Sequence, residues 1–106
     1  MSTRKETVEF ILEKLRNAKH FSARAMFGEY ALYADSKVVG LICDGQLYVK
    51  IMPASAELEN ICEQGEPYPG AKLCYIVEEH LLSEIENLSN ILLDIAASLP
   101  AKKITK

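Results

Sequence analysis

No stretch of this sequence is apolar for long enough to cross a bilayer, which takes about 20 consecutive residues. The run from Val38 to Cys43 is broken by Gly40, and the run from Ile91 to Leu93 ends at Asp94. The amino terminus, Met1 to Glu6, leads into an acidic amphipathic segment instead of an apolar leader core. A cytoplasmic protein without a membrane partner is therefore expected. Cysteine is scarce and scattered: Cys43, Cys62 and Cys74 form no Cys-x-x-Cys pair and lie far in sequence from His20 and His80. Such spacing argues against a zinc site or a disulfide framework, so no metal is expected and the thiols are read as reduced, small core hydrophobes. A dominant charge is missing as well. Twelve basic residues against 15 acidic ones leave a net charge of −3, which exerts no overall pull toward a polyanion. Direct DNA binding is not expected.

Catalytic signatures are equally sparse. No phosphate-cradling glycine pattern occurs, and Ser22, two residues after His20, lacks the strand-turn-helix setting of a nucleophile elbow. Glu78, Glu79 and His80 are adjacent, but neighbours in a loop rarely converge on one reacting atom. These features describe a protein that is not an enzyme and holds no cofactor, with His80 at the surface or rim.

The 106 residues, 49% hydrophobic and 25% charged, suit one globular domain with a single core. Residues 1–100 read as the domain and 101–106 as a short basic tail. Val8, Ile11, Leu12 and Leu15 recur at helical spacing, with Thr3 and Glu6 placed for a capping box and Asn17 to His20 as the exit. From Ala23 to Met52 the period changes to two. Strands are predicted over Ala25 to Ala34, Val38 to Cys43 and Leu47 to Ile51, with turns at Asp35-Ser36 and Asp44-Gly45. Leu47, Val49 and Ile51 share one face, while Tyr48 and Lys50 share the other. Ala54 to Glu63 reads as a short helix with Leu58, Ile61 and Cys62 on one side. Gly65 to Gly70 is loop, and Leu73 to Val77 is a fourth strand. Ser83 with Glu86 suggests a capping box for a last helix, whose stripe is Ile85, Leu88, Ile91, Leu92, Ile95 and Leu99, stopped by Pro100. The predicted order is α-β-β-β-α-β-α: an α+β two-layer sandwich with an antiparallel sheet and helices on one face.

The stretch Arg24-Ala25-Met26-Phe27-Gly28-Glu29-Tyr30-Ala31-Leu32-Tyr33-Ala34-Asp35 resembles the amino-terminal domain of TfoX/Sxy-type competence regulators. Similarity continues through Lys37 to Asp44 and Gln46 to Lys50, and resumes at Pro67 to Lys72. The resemblance implies a secretion-chaperone-like α/β fold and membership in a group named for transcriptional regulators of natural transformation. Many relatives carry a second glycine where this chain has Glu29. The full-length regulators also carry a second, helical domain after this one, whereas this chain stops at Lys106, so it resembles the front domain alone.

Gly28 reads as a bulge or close backbone approach within the first strand, with Met26 and Phe27 on opposite faces. The tyrosines Tyr30, Tyr33, Tyr48, Tyr68 and Tyr75 are rim residues of the core or, where exposed on a sheet face, a protein-binding surface. Lys19, His20 and Arg24 make a small basic group that Lys50 or Lys72 can join in space. The expected function is a regulatory or adaptor domain working through protein contacts, with Arg24, Phe27, Gly28, Tyr30, Tyr48 and Lys50 as the candidate interaction surface. An unpaired edge strand also permits a homodimer. The alternative is a small-molecule or nucleic-acid binding module built on a groove around Gly28, Lys50 and the loop Pro67 to Lys72.

Overall fold

The computed structural model describes residues 4–15, 18–26 and 28–99. The capping residue Thr3, the exit at Asn17, Phe27 and the stop at Pro100 with its basic tail lie outside these residues. Helix α1 runs Lys5–Lys14 from Arg4, which makes no side-chain cap bond. Its buried Val8 and Ile11 are the spacing the sequence pattern marks. A 3₁₀ turn, Ala18–His20, leads into the sheet.

Four strands follow in a meander: β1 Phe21–Met26, β2 Glu29–Ala34, β3 Lys37–Cys43 and β4 Gln46–Lys50. The stretch Ala25 to Ala34 is thus two strands, not one. Met26 pairs with Glu29, and Gly28 occupies the loop between them with a φ of 84°. Gly28 is a hairpin residue, not a bulge; alternation simply resumes on both sides of the turn. Asp35-Ser36 and Asp44-Gly45 also close two-residue hairpins, with positive φ at all four residues. That geometry matches the twist of the flanking strands. The register irregularity lies instead between β2 and β3, where Leu32 faces Gly40 and Tyr33 faces Val38, leaving Val39 unmatched.

After β4 the chain forms a 3₁₀ helix, Pro53–Asn60. Leu58 and Cys62 are buried, but Ile61 is exposed, contrary to the predicted shared side. The turn is tighter than an α-helix, which rotates Ile61 out of line. Strands β5 Glu63–Gly65 and β6 Cys74–Val77 complete one six-stranded antiparallel sheet of order β1-β2-β3-β4-β6-β5.

The last helical region is split. Helix α2 spans Glu79–Glu84 and α3 spans Leu88–Ser98, so Ser83 lies inside α2 and caps nothing. Ile85 takes an extended conformation as its amide closes on the Leu81 carbonyl. Both Ile85 and Leu88 stay buried across the break, which is why the apolar stripe looked continuous.

One main core joins Val8 and Ile11 of α1, Leu58, Leu82 of α2 and Leu88, Ile91, Leu92, Ile95 of α3 to one sheet face, represented by Leu32, Ile42, Leu47, Val49, Tyr75 and Val77. The result is an α+β two-layer arrangement. A second, smaller cluster on the other face contains Cys43, Tyr48 and Cys74 with Leu41 and Ile76 packed against it. All five are strand residues.

Candidate functional site

Residues directly opposite one another in antiparallel strands share a face. The register therefore aligns Arg24 with Ala31, Leu41 with Tyr48, Tyr48 with Ile76, and Lys50 with Cys74 on the helix-free face. Its centre is apolar and its margins carry both signs: Arg24 and Lys50, but also Glu29 opposite Met26 and Glu63 opposite Ile76. At the β1 margin the Arg24 guanidinium stands 5.6 Å from the centroid of the Tyr33 ring, one diagonal step across the β1–β2 pair, a cation–π contact.

The sequence-derived candidates distribute unevenly over this frame. Arg24, Tyr48 and Lys50 share the helix-free face, but Arg24 is separated from the β4 pair by three strand spacings, roughly 14 Å. Tyr48 is buried. Tyr30 pairs with Ile42 and packs against the main core, so it lies on the opposite face. Gly28 sits at the sheet end that also holds the Asp44-Gly45 turn, where the Asp44 amide donates to the Glu29 carboxylate at 3.1 Å. Glu29 thus anchors one hairpin to the next. The tyrosines do not form one surface: Tyr30 and Tyr75 belong to the main core, Tyr33 and Tyr48 to the other face, and Tyr68 to an exposed loop.

The predicted basic group is divided as well. His20 Nδ1 lies 2.7 Å from Asp35 Oδ1, and the Asp35 amide donates to the His20 carbonyl at 2.9 Å, while Arg24 is engaged on Tyr33. Lys50 and Lys72 instead meet at a groove that opens where β3 begins and β4 ends. The loop Pro67 to Lys72 forms one wall, as the groove reading expected. Gly28 is not part of it, being on the order of 20 Å away at the other end of the strands.

The thiols carry no nucleophilic activation. Burial pushes the Cys43 thiol up to about 11, assisted by the Glu29 carboxylate, Cys74 and Asp44. Burial and Glu78 raise Cys62, and burial raises Cys74 against the opposing pull of Lys50. All three are free and buried, the environment of inert packing thiols. His80 Nδ1 is 3.6 Å from Glu78 Oε1, with both side chains open to solvent. Among the described residues, no group of three or more His, Cys, Asp or Glu is placed to hold a metal ion, and no helix is long and apolar enough to cross a membrane.

The family model of the TfoX N-terminal domain matches residues 13–90, a span that includes every strand of the sheet. This chain belongs to the TfoX N-terminal domain family. It is also similar to an uncharacterized 12.7 kDa protein in the trpE 5′ region of Spirochaeta aurantia, at 38% identity over 106 residues that cover 100% of this chain and 91% of the relative. The helix-free face and the groove of this TfoX N-terminal domain both lie within the matched span, apart from Leu99 at the groove margin.

Proposed function

We propose that this domain is a non-enzymatic regulatory adaptor of the competence-regulator type, acting in the cytoplasm through protein contacts made by the helix-free face of its sheet. The observation that carries the reading is the segregation of the helices. Helices α1, α2 and α3 and the 3₁₀ helix Pro53–Asn60 all contribute to the core on one face, whereas the other face is covered by no helix. It presents strand residues, half-exposed Leu41 and Ile76 around Tyr48 and Arg24 stacked on Tyr33 at the margin, with the loop Pro67 to Lys72 bordering it at the Lys50 end. An apolar centre with aromatic and arginine groups at its border is the composition favoured at protein interfaces. Family membership supports the regulatory part of the reading.

Affinity capture from the native cell lysate tests it. The full chain should retain a partner that an Arg24→Glu, Leu41→Lys variant loses and that a Glu9→Lys variant, altered on the exposed side of α1, keeps. Identical captures by all three would overturn the assignment of the face.

A further inference from the structure

The groove beside Lys50 has a character of its own. Its volume is about 600 Å³, within the range of small-molecule sites. Leu41, Gly40 and Cys74 are part of its lining, as are Lys50 and Lys72. No Asp or Glu lines it, in a chain where acidic residues outnumber basic ones by 15 to 12. Neither lysine side chain has a hydrogen-bond or ion-pair partner among the described residues. The groove also gathers exposed apolar groups. The described residues include five exposed large hydrophobics, Met26, Ile51, Ile61, Tyr68 and Leu73, and three of them (Ile51, Tyr68 at 52% exposure and Leu73 at 52%) line this one concavity.

Two uncompensated ammonium groups in a half-apolar concavity repel each other and attract an anion. Exposed aromatic and aliphatic surface next to them favours a ligand with an apolar body. We propose that this groove is a binding site for a small amphiphilic anion, a carboxylate or phosphate ester carrying an aromatic or branched apolar group. Lys50 and Lys72 neutralise the charged end as point charges, and Tyr68 and Leu73 cover the apolar end. The site goes beyond the adaptor reading: the groove shares Leu41 with the helix-free face but not Arg24 or Tyr33. Probe binding is read on the chain without any protein partner, so either reading can fail while the other stands.

A titration of the isotope-labelled full chain followed by amide NMR tests the proposal. The probes are phenyl phosphate and phenylacetate as anions, benzyl alcohol as the neutral counterpart and benzylamine as the cation. At least one anion should give saturable shifts centred on Leu41, Lys50, Ala71 and Lys72, with the neutral and cationic probes about ten-fold weaker or more. A preference between the two anions distinguishes the phosphate from the carboxylate source. Lys50→Gln with Lys72→Gln should weaken the anion about ten-fold while leaving amides of the main core unmoved. The charge comparison uses the unmodified protein, so it decides the matter even if the double variant does not fold. Equal binding of all the probes, shifts centred elsewhere, or no saturation in the low-millimolar range would overturn the site.

Discussion

The Lys37 ammonium at the start of β3 donates to the carbonyl of Ala96 near the end of α3, 2.9 Å away, and to the carbonyl of Leu99 at 3.1 Å. The last carbonyls of a helix have no partner within it and carry the negative end of its dipole. Lys37 gives the Ala96 carbonyl a second donor beside the Leu99 amide, supplies one to the Leu99 carbonyl, and fixes the far end of α3 to the sheet across 59 residues of sequence. Replacing it by methionine keeps the apolar stem and removes the charge. Lys37→Met should lower unfolding stability by about 1–2 kcal/mol, read as a shift in the urea midpoint with an unchanged slope.

Ser55 plays a comparable part at the end of β4. It is buried completely, donates to the Lys50 carbonyl at 2.7 Å and accepts from the Met52 amide at 3.0 Å. Ser55→Ala removes the partner of both part-buried backbone groups, which costs about 1–3 kcal/mol. Because these bonds hold the strand end that carries Lys50, amide shifts in the variant should concentrate on residues 50–55 and on the groove wall.

Gly40 is required for a different reason than the turn glycines. A Cβ there would stand 2.3 Å from the Tyr48 carbonyl oxygen on the neighbouring strand, a contact with backbone that no side-chain rotation relieves. Gly40→Ala should destabilise the protein by about 2–3 kcal/mol. Thermal unfolding of the variant beside wild type checks this.

Alkaline pH should weaken the fold. In the unfolded chain a thiol titrates near 9.0, whereas folded Cys43 titrates at about 11. Between these values the unfolded state has lost a proton that the folded state retains, so the Cys43 contribution is intact below pH 9 and declines from about pH 9 to pH 11. Cys62, Cys74, Tyr48 and Tyr75 are shifted in the same direction, chiefly by burial, and steepen the fall. Urea midpoints measured across this range should drop, and Cys43→Ala should drop less. A midpoint that rises toward pH 11 would contradict the buried-thiol picture.

Local chemistry made part of this architecture readable in the sequence. Asp44-Gly45 marks a hairpin by itself, and the alternation in Leu47-Tyr48-Val49-Lys50 assigns both faces of β4, with Leu47 and Val49 in the main core. Helix α1 is likewise written in its apolar spacing. What was not legible depends on partners distant in the chain. Glu63-Gln64-Gly65 has no apolar signal and is a strand only because β6 lies beside it. Residues 21–26 carry the weak alternation of an edge strand, so the hairpin at Gly28 was absorbed into one long element. The break at Ile85 hid inside a stripe that both halves continue. The meeting of Lys50 with Lys72 required β6 to pair with β4, and Tyr30 and Tyr48 take opposite faces only once the hairpin registers are fixed.

The central claim, that the helix-free face is the contact surface, is tested most directly by photo-crosslinking in living cells. The residue p-benzoylphenylalanine would be placed at Tyr33 or Leu41 on that face, and at Glu9 on the exposed side of α1. A discrete higher-mass adduct with another protein should form from positions 33 and 41 and not from position 9. Adducts from position 9 alone, or from none of the three, would contradict the account.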